Sequence, residues 1–192
     1  MIVKDLIYGE RVLHRPEVVL EILKEPCMKR LKGVNQAGYF TPFYEGATDT
    51  RWDHSLGVYL LLDRFGAELP EKVAGLIHDV SHSCFSHCID YVFEEGSGKT
   101  HNYQDNVFLD YVRSTNIPAI IKKHNFRLKH SADHILDESN FPLLETELPD
   151  LCADRIDYSL RCGIIYKEVD QKQVDHFLDS LYIDKNLSLI HI

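Results

Sequence analysis

The stretch from Leu69 to Val80 constrains this 192-residue chain more than any other. Val73, Leu76, Ile77 and Val80 fall at i, i+3, i+4 and i+7, so they share one face of an α-helix, and that face has to be covered by other parts of the chain. The same helix runs into AGLIHDVSHSCFSH, where His78, Asp79, His82 and His87 crowd the end of an otherwise apolar segment. A carboxylate left unpaired beside a buried apolar face costs several kcal/mol. His78 and Asp79 therefore need partners from elsewhere in the chain.

Most of the remaining sequence also reads as helix. PEVVLEIL opens with Pro16 at a first helical position and repeats apolar residues at Val18, Val19, Ile22 and Leu23, the spacing of a buried stripe. PCMKRLKGVNQAGYF predicts a second short helix ending near Gly38. TPFYEGATDTR predicts a loop, with Thr50 or Asp53 capping the helix HSLGVYLLLDRF. After EEGSGKT, a loop by its glycines and serine, Val107, Phe108, Tyr111 and Val112 mark another helix, and IPAIIKKHN and SADHILDES continue the pattern. Pro149 starts PDLCADRIDYSLR, with Cys152, Ile156 and Leu160 on one face and Asp154, Tyr158 and Arg161 on the other. SLYIDKNLSLIHI alternates apolar and polar residues around Lys185 and Asn186, which predicts a β-hairpin whose second strand ends the chain. The expected class is all-α with a short C-terminal β-hairpin, in a single domain over residues 1–192.

Composition excludes some functions. A hydrophobic fraction of 44% suffices for one domain with a true core. A net charge of -9 argues against nucleic acid as a partner, because proteins that grip its phosphates cluster excess Lys and Arg. No apolar run approaches the roughly 18 residues needed to span a bilayer. MIVKDLIYGERVLHR carries charges where a secretory peptide needs an apolar stretch, so the expected location is cytoplasmic, with no membrane partner. The five cysteines are odd in number and show no CxxC pair, which suits reduced thiols. Cys84 and Cys88, four apart, are expected to pack rather than to bind zinc. His124, His130, His134 and His176 are expected on solvent-facing surfaces.

Two polar residues stand at comparable points on other apolar helices, His54 and Asp154. With His78 and Asp79 they would offer two nitrogen and two oxygen ligands. Such a set suits Mn, Fe, Zn, Ni or Co and leaves positions open for water and a phosphate oxygen. Mg could also arrive with a substrate.

The order His, His-Asp, Asp resembles the HD-domain metal phosphohydrolases, and the match extends beyond those four residues. TRWDHSLGVYLL is similar to the Arg-x-x-His-Ser-Leu-Gly-Val segment of the deoxynucleoside triphosphate triphosphohydrolase branch. AGLIHDVSHSCFSH resembles its Ala-Gly-Leu-x-His-Asp-x-Gly-His-x-x-Phe-Ser-His segment, and ADRIDYSLR its Asp-(Arg/Lys)-x-Asp-Tyr helix. MKRLKGVNQAGYF is similar to its Arg-Leu-(x)3-Gln segment, so the resemblance covers about residues 16–165. It implies metal binding by His54, His78, Asp79 and Asp154. It implies further that Arg51 and Arg155 meet phosphates, that Gln36 lies near the sugar or phosphate chain, and that Tyr158 meets the sugar. His82, His87 and His101 would flank the α-phosphate, one of them as proton donor. Asp157 is expected to be a structural partner within its own helix. The resemblance also suggests pairing of chains through their helices into a homo-oligomer.

The chain departs from that pattern at several points. Asn102 follows His101 where the family has an acidic residue, and an amide supplies no charge to stabilise an imidazolium. Ser81 replaces a glycine, and Cys162 stands where that branch often has an aspartate for the sugar 3′ hydroxyl. Residues 166–192 stand where triphosphohydrolases continue into a C-terminal lobe, so they would belong to a reduced or truncated lobe. The leading expectation is hydrolysis of a dNTP to deoxynucleoside and triphosphate. The runner-up is cleavage of nucleoside monophosphates or other small phosphate esters. A nucleotide-binding scaffold without turnover, or a dinuclear iron oxygenase on the same helices, remains open at this point.

Overall fold

A computed structural model of the chain describes residues 2–12, 16–38, 42–44, 46, 48–92, 103–147, 149–183 and 189–191. The N-terminal segment forms a hairpin that the sequence pattern did not announce. Strands β1 (Ile2–Asp5) and β2 (Gly9–Val12) pair antiparallel, from Ile2↔Val12 to Asp5↔Gly9. Asp5 Oδ1 builds the turn by accepting from the backbone N–H of Ile7 and Tyr8 at 2.8 and 3.0 Å. Gly9 closes the turn at φ +68°. The hairpin is anchored by burying Val3, Ile7 and Tyr8.

Helix α1 (Glu17–Ile22) buries Val18, Val19 and Ile22 as its spacing predicts. Helix α2 (Pro26–Arg30) begins at Pro26 but does not reach Gly38. It tightens into a 3₁₀ turn at Leu31–Gly33, and Val34 is already extended. The poor helix former Gly33 permits the break, and long-range pairing draws the next residues away: Asn35 bridges Thr50, and Arg51 N–H donates to Val34 O at 2.8 Å.

Helix α3 (Arg51–Arg64) starts with a capping box in which Thr50 and Asp53 both act, each side chain accepting from the other's backbone N–H. Helix α4 (Leu69–Ile77) packs against α3, where a Cβ on Gly75 would come within 2.5 Å of Leu62 Cδ1. A 3₁₀ turn at Ser86–Tyr91 leads on to α5 (Tyr103–Arg113), α6 (Ile117–Lys123), α7 (Asn125–Leu128) and α8 (Ala132–Ile135). A short turn at Glu138–Asn140 precedes α9 (Ala153–Ile165) and α10 (Gln171–Ser180). Strands β3 (Leu181–Ile183) and β4 (Leu189–His191) then pair antiparallel, Leu181 opposite His191. This is the expected C-terminal hairpin. Its turn at Lys185 and Asn186 lies outside the described residues.

Buried apolar side chains from β1 through β3 form one contiguous cluster. Among the described residues no helix is long and apolar enough to cross a membrane. Some surface expectations are corrected. His124 is buried at the end of α6, where its ring reaches within 3.2 Å of Glu21. Arg161, assigned by helical phase to the polar face of α9, pairs there with carboxylates of α9 and the N-terminal hairpin and is 1% exposed, a burial that phase alone does not predict. Helix α9 begins four residues after Pro149, with Cys152 at its cap. Cys84 and Cys88 are exposed rather than packed.

Candidate metal centre

Three helix ends converge on one point. Thr50 fixes the start of α3, which places His54 one turn inside it. His78 caps the C-terminus of α4, with Asp79 following, and Asp154 is the second residue of α9. His78 Nδ1 lies 2.8 Å from Gly75 O. A carbonyl only accepts, so Nδ1 carries the proton and Nε2 faces inward. His54 Nε2 stands 3.3 Å from His78 Nε2 and 2.8 Å from Asp154 Oδ1, and His78 Nε2 is 3.3 Å from the same oxygen.

Two donors about 2.1 Å from one ion lie about 3.0 Å apart at a right angle and about 3.4 Å apart at the tetrahedral angle. The observed spacings match those values, and one donor atom from each of His54, His78 and Asp154 falls within a common 4.8 Å. Imidazole and carboxylate are the donor types that suit a divalent transition metal, so the residues fit such an ion. Asp79 adjoins this trio: Oδ2 is 3.6 Å from His54 Nε2 and Oδ1 is 3.6 Å from His78 Nε2.

The electrostatics agree with this geometry. Burial opposes charge on His54 and His78, yet the adjoining carboxylates outweigh it, raising His54 and pushing His78 to about 10. Burial likewise opposes ionisation of Asp79 and Asp154. Arg51 and His78 beside the first, and His54 and His78 beside the second, hold both well below the usual carboxylate range. These groups hold opposite charges packed together, which is the state an arriving cation would replace by displacing protons.

A cavity of about 420 Å³ opens over the trio, and Gln36, Arg51, His82, His87, Tyr158 and Cys162 share its walls. Arg51 is buried, and its fork is largely committed: Nη1 to Asp79 Oδ2 at 2.7 Å, Nε to Ser86 Oγ at 3.1 Å and Nη2 to Gln36 O at 3.1 Å. His82 Nε2 lies 3.1 Å from Asp79 Oδ1, and burial lowers its pKa to about 4. His87 is half exposed and stacks edge-on to His82 at 4.9 Å. Tyr158 approaches His54 with ring centroids 6.5 Å apart.

Arg155 is not brought to this cavity. Its guanidinium binds Glu145 and the carbonyls of Thr146 and Asp150, and it lines a separate cavity of about 530 Å³. His101 and Asn102 lie outside the described residues.

Asp90 and Glu138 are among the groups at this site that escaped the sequence reading. Buried Asp90 reaches His87 Nδ1 at 3.3 Å from three residues along the same 3₁₀ turn, a spacing that was visible in SHCID. Glu138 lines the same cavity as His78, and burial pushes its carboxyl to about 7. Nothing in its local sequence marks it, because it arrives on a turn remote from every motif.

A family model described as "HD domain" matches residues 51–161. The uncharacterized protein YdhJ of Bacillus subtilis is 38% identical over 183 residues, which cover 95% of this chain and 54% of that protein. The metal-dependent phosphohydrolase cns2 of Cordyceps militaris is 36% identical over 184 residues, covering 94% of this chain and 50% of its own. The deoxynucleoside triphosphate triphosphohydrolase SAMHD1 of Bos taurus is 33% identical over 104 residues, covering 46% of this chain and 17% of its own. The chain thus spans about half the length of the first two relatives.

Proposed function

The chain belongs to the HD-domain family, and from that premise we propose that it is a metal-dependent phosphohydrolase acting on nucleotides, converting a dNTP to deoxynucleoside and triphosphate. One observation carries this reading: the inward-facing donors of His54, His78 and Asp154 lie at ion-sharing distances, and His78 and Asp154 line a cavity walled by Arg51, His82 and His87. The similarity to cns2 and to SAMHD1 supports the hydrolytic class and the nucleotide.

In this reading His54, His78, Asp79 and Asp154 hold a divalent ion. When bound, the ion polarises a phosphoryl oxygen and makes water a competent nucleophile near neutral pH. Arg51 keeps Asp79 ionised and aimed, and its remaining positive field favours the phosphate end of the substrate. His82, with its lowered pKa, is a neutral hydrogen-bonding group at pH 7. His87 is the better-placed proton donor, because it is half exposed on the cavity wall and Asp90 behind Nδ1 orients its ring. Gln36 and Tyr158 line the space left for the sugar.

A second reading, hydrolysis of nucleoside monophosphates or other small phosphate esters, is favoured by Cys162, which puts a thiol at the point of the cavity wall where the triphosphohydrolase pattern often has an aspartate. Incubation of the manganese-loaded protein with each dNTP, NTP and dNMP, followed by ion-pair chromatography, separates the two. Nucleoside with intact triphosphate is the expected product. Single phosphate released from monophosphates alone would replace the first reading with the second, and no product from a metal-loaded protein would leave only a binding scaffold.

A further inference from the structure

Behind His54, on the side away from Asp154, lies a buried polar cluster that the hydrolytic chemistry leaves unused. His54 Nδ1 is 2.7 Å from Asp157 Oδ2. An ionised carboxylate only accepts, so Nδ1 carries the proton and the lone pair of a neutral ring is left on Nε2, facing His78 and Asp154. Asp157 is itself held from two further directions. Arg161 Nε donates to Oδ2 at 2.6 Å and Nη2 to Oδ1 at 3.1 Å, while the Tyr8 hydroxyl donates to Oδ1 at 2.9 Å. Arg161 Nη2 also reaches Asp5 Oδ2 at 2.7 Å. The hairpin β1–β2 thus supplies two of the groups that fix Asp157.

The helix opposite is shaped to admit this cluster. A Cβ on Gly57, one turn beyond His54 on α3, would lie 2.0 Å from both Asp157 Oδ1 and Arg161 Nη2. Only glycine lets the carboxylate settle against α3 at the height of the His54 ring. A buried ion network adds little net stability, since desolvation offsets its attraction, so what this one contributes is geometry.

We propose that Asp157, fixed by Tyr8 and Arg161, is a positioning residue that holds the His54 ring and its Nδ1–H tautomer ready for a metal ion, so that the N-terminal hairpin sets the affinity of the centre. The proposal rests on the reading of His54 as a ligand. Its effect passes entirely through His54, because Asp157 faces the ring from the side opposite the cavity.

Zinc binding by the full chain, measured by competition with a chromophoric chelator, tests it in the wild type and in His54→Ala, Asp157→Asn and Tyr8→Phe. Asp157→Asn should weaken zinc binding about 10- to 100-fold, and Tyr8→Phe should weaken it several-fold. In the zinc-loaded wild type the His54 Nδ1 proton should resonate downfield and exchange slowly in ¹H–¹⁵N spectra. In Asp157→Asn it should move upfield and exchange faster. A purely structural role predicts lower melting temperatures with unchanged zinc affinity and an unmoved Nδ1 proton, and that result overturns the proposal. Should Asp157→Asn fail to fold, Tyr8→Phe decides alone, since it removes one hydroxyl. Zinc binding in the wild type that survives His54→Ala undamaged would instead refute the ligand reading, and the proposal with it.

Discussion

Asp79 sits between two demands, since its oxygens serve Arg51 and His82 while lying 3.6 Å from Nε2 of both His54 and His78. Replacing it with alanine removes a donor and leaves the buried Arg51 charge without its carboxylate. Asp79→Ala is expected to lose bound metal and turnover together, as read by elemental analysis and a phosphate-release assay; retained turnover would reject the site. His87→Gln should lower kcat about 10²- to 10⁴-fold, the range for a lost general acid, with metal content unchanged. An unaffected rate would place the acid elsewhere. At this scale the sequence was informative where motifs were local: His78, Asp79, His82 and His87 all come from one 14-residue stretch. It was silent where the fold brings groups together, as with Glu138 on the cavity wall shared with His78 or Asp157 against His54. Helical phase placed Arg161 on the polar face of α9 but says nothing of what other elements bring to that face, so its burial between Asp157 and Asp5 required the fold.

Between elements, the α3–α9 contact is the one the centre depends on, and Gly57 controls it. Gly57→Ala forces the Asp157–Arg161 pair away from α3. It should cost about 1–3 kcal/mol, as overpacking does, despite the gain in helix propensity. Urea unfolding monitored by circular dichroism gives the value, and a variant as stable as the wild type would show that the contact yields freely. Helices α3 and α4 could be read in advance because their apolar residues repeat over several turns and Thr50 and Asp53 mark a start. The hairpin β1–β2 could not, since its turn is built by the Asp5 carboxylate accepting from Ile7 and Tyr8 and carries no Asn-Gly or Asp-Gly pair between the strands. Helix α2 was read too long because its break is set by the distant Asn35↔Thr50 bridge.

For the molecule as a whole, the charges gathered at the centre set how stability responds to pH. In chelator-treated protein Asp79, Asp154 and Asp157 have lowered pKa values. Their contribution is complete above about pH 4, the unfolded carboxylate value, and is lost as pH falls below it. His54 and His78 are raised, His78 to about 10. Their contribution is complete below about pH 6.5, the unfolded histidine value, and declines as pH rises toward the folded ones. The melting temperature of the metal-free chain should therefore peak between these limits. Manganese should move the peak upward, because the ligands bind it deprotonated. Differential scanning fluorimetry across pH, with EDTA or with manganese, checks both, and identical profiles would count against a shared ion at these residues. The overall helical architecture with a C-terminal hairpin followed from periodicity, whereas the single apolar cluster that joins β1 to α9 required the fold.

Anomalous diffraction from manganese-soaked crystals tests the central claim most directly. One strong peak is expected within bonding distance of His54 Nε2, His78 Nε2 and a carboxylate oxygen of Asp154. A peak elsewhere, or none at full manganese occupancy in solution, would contradict it.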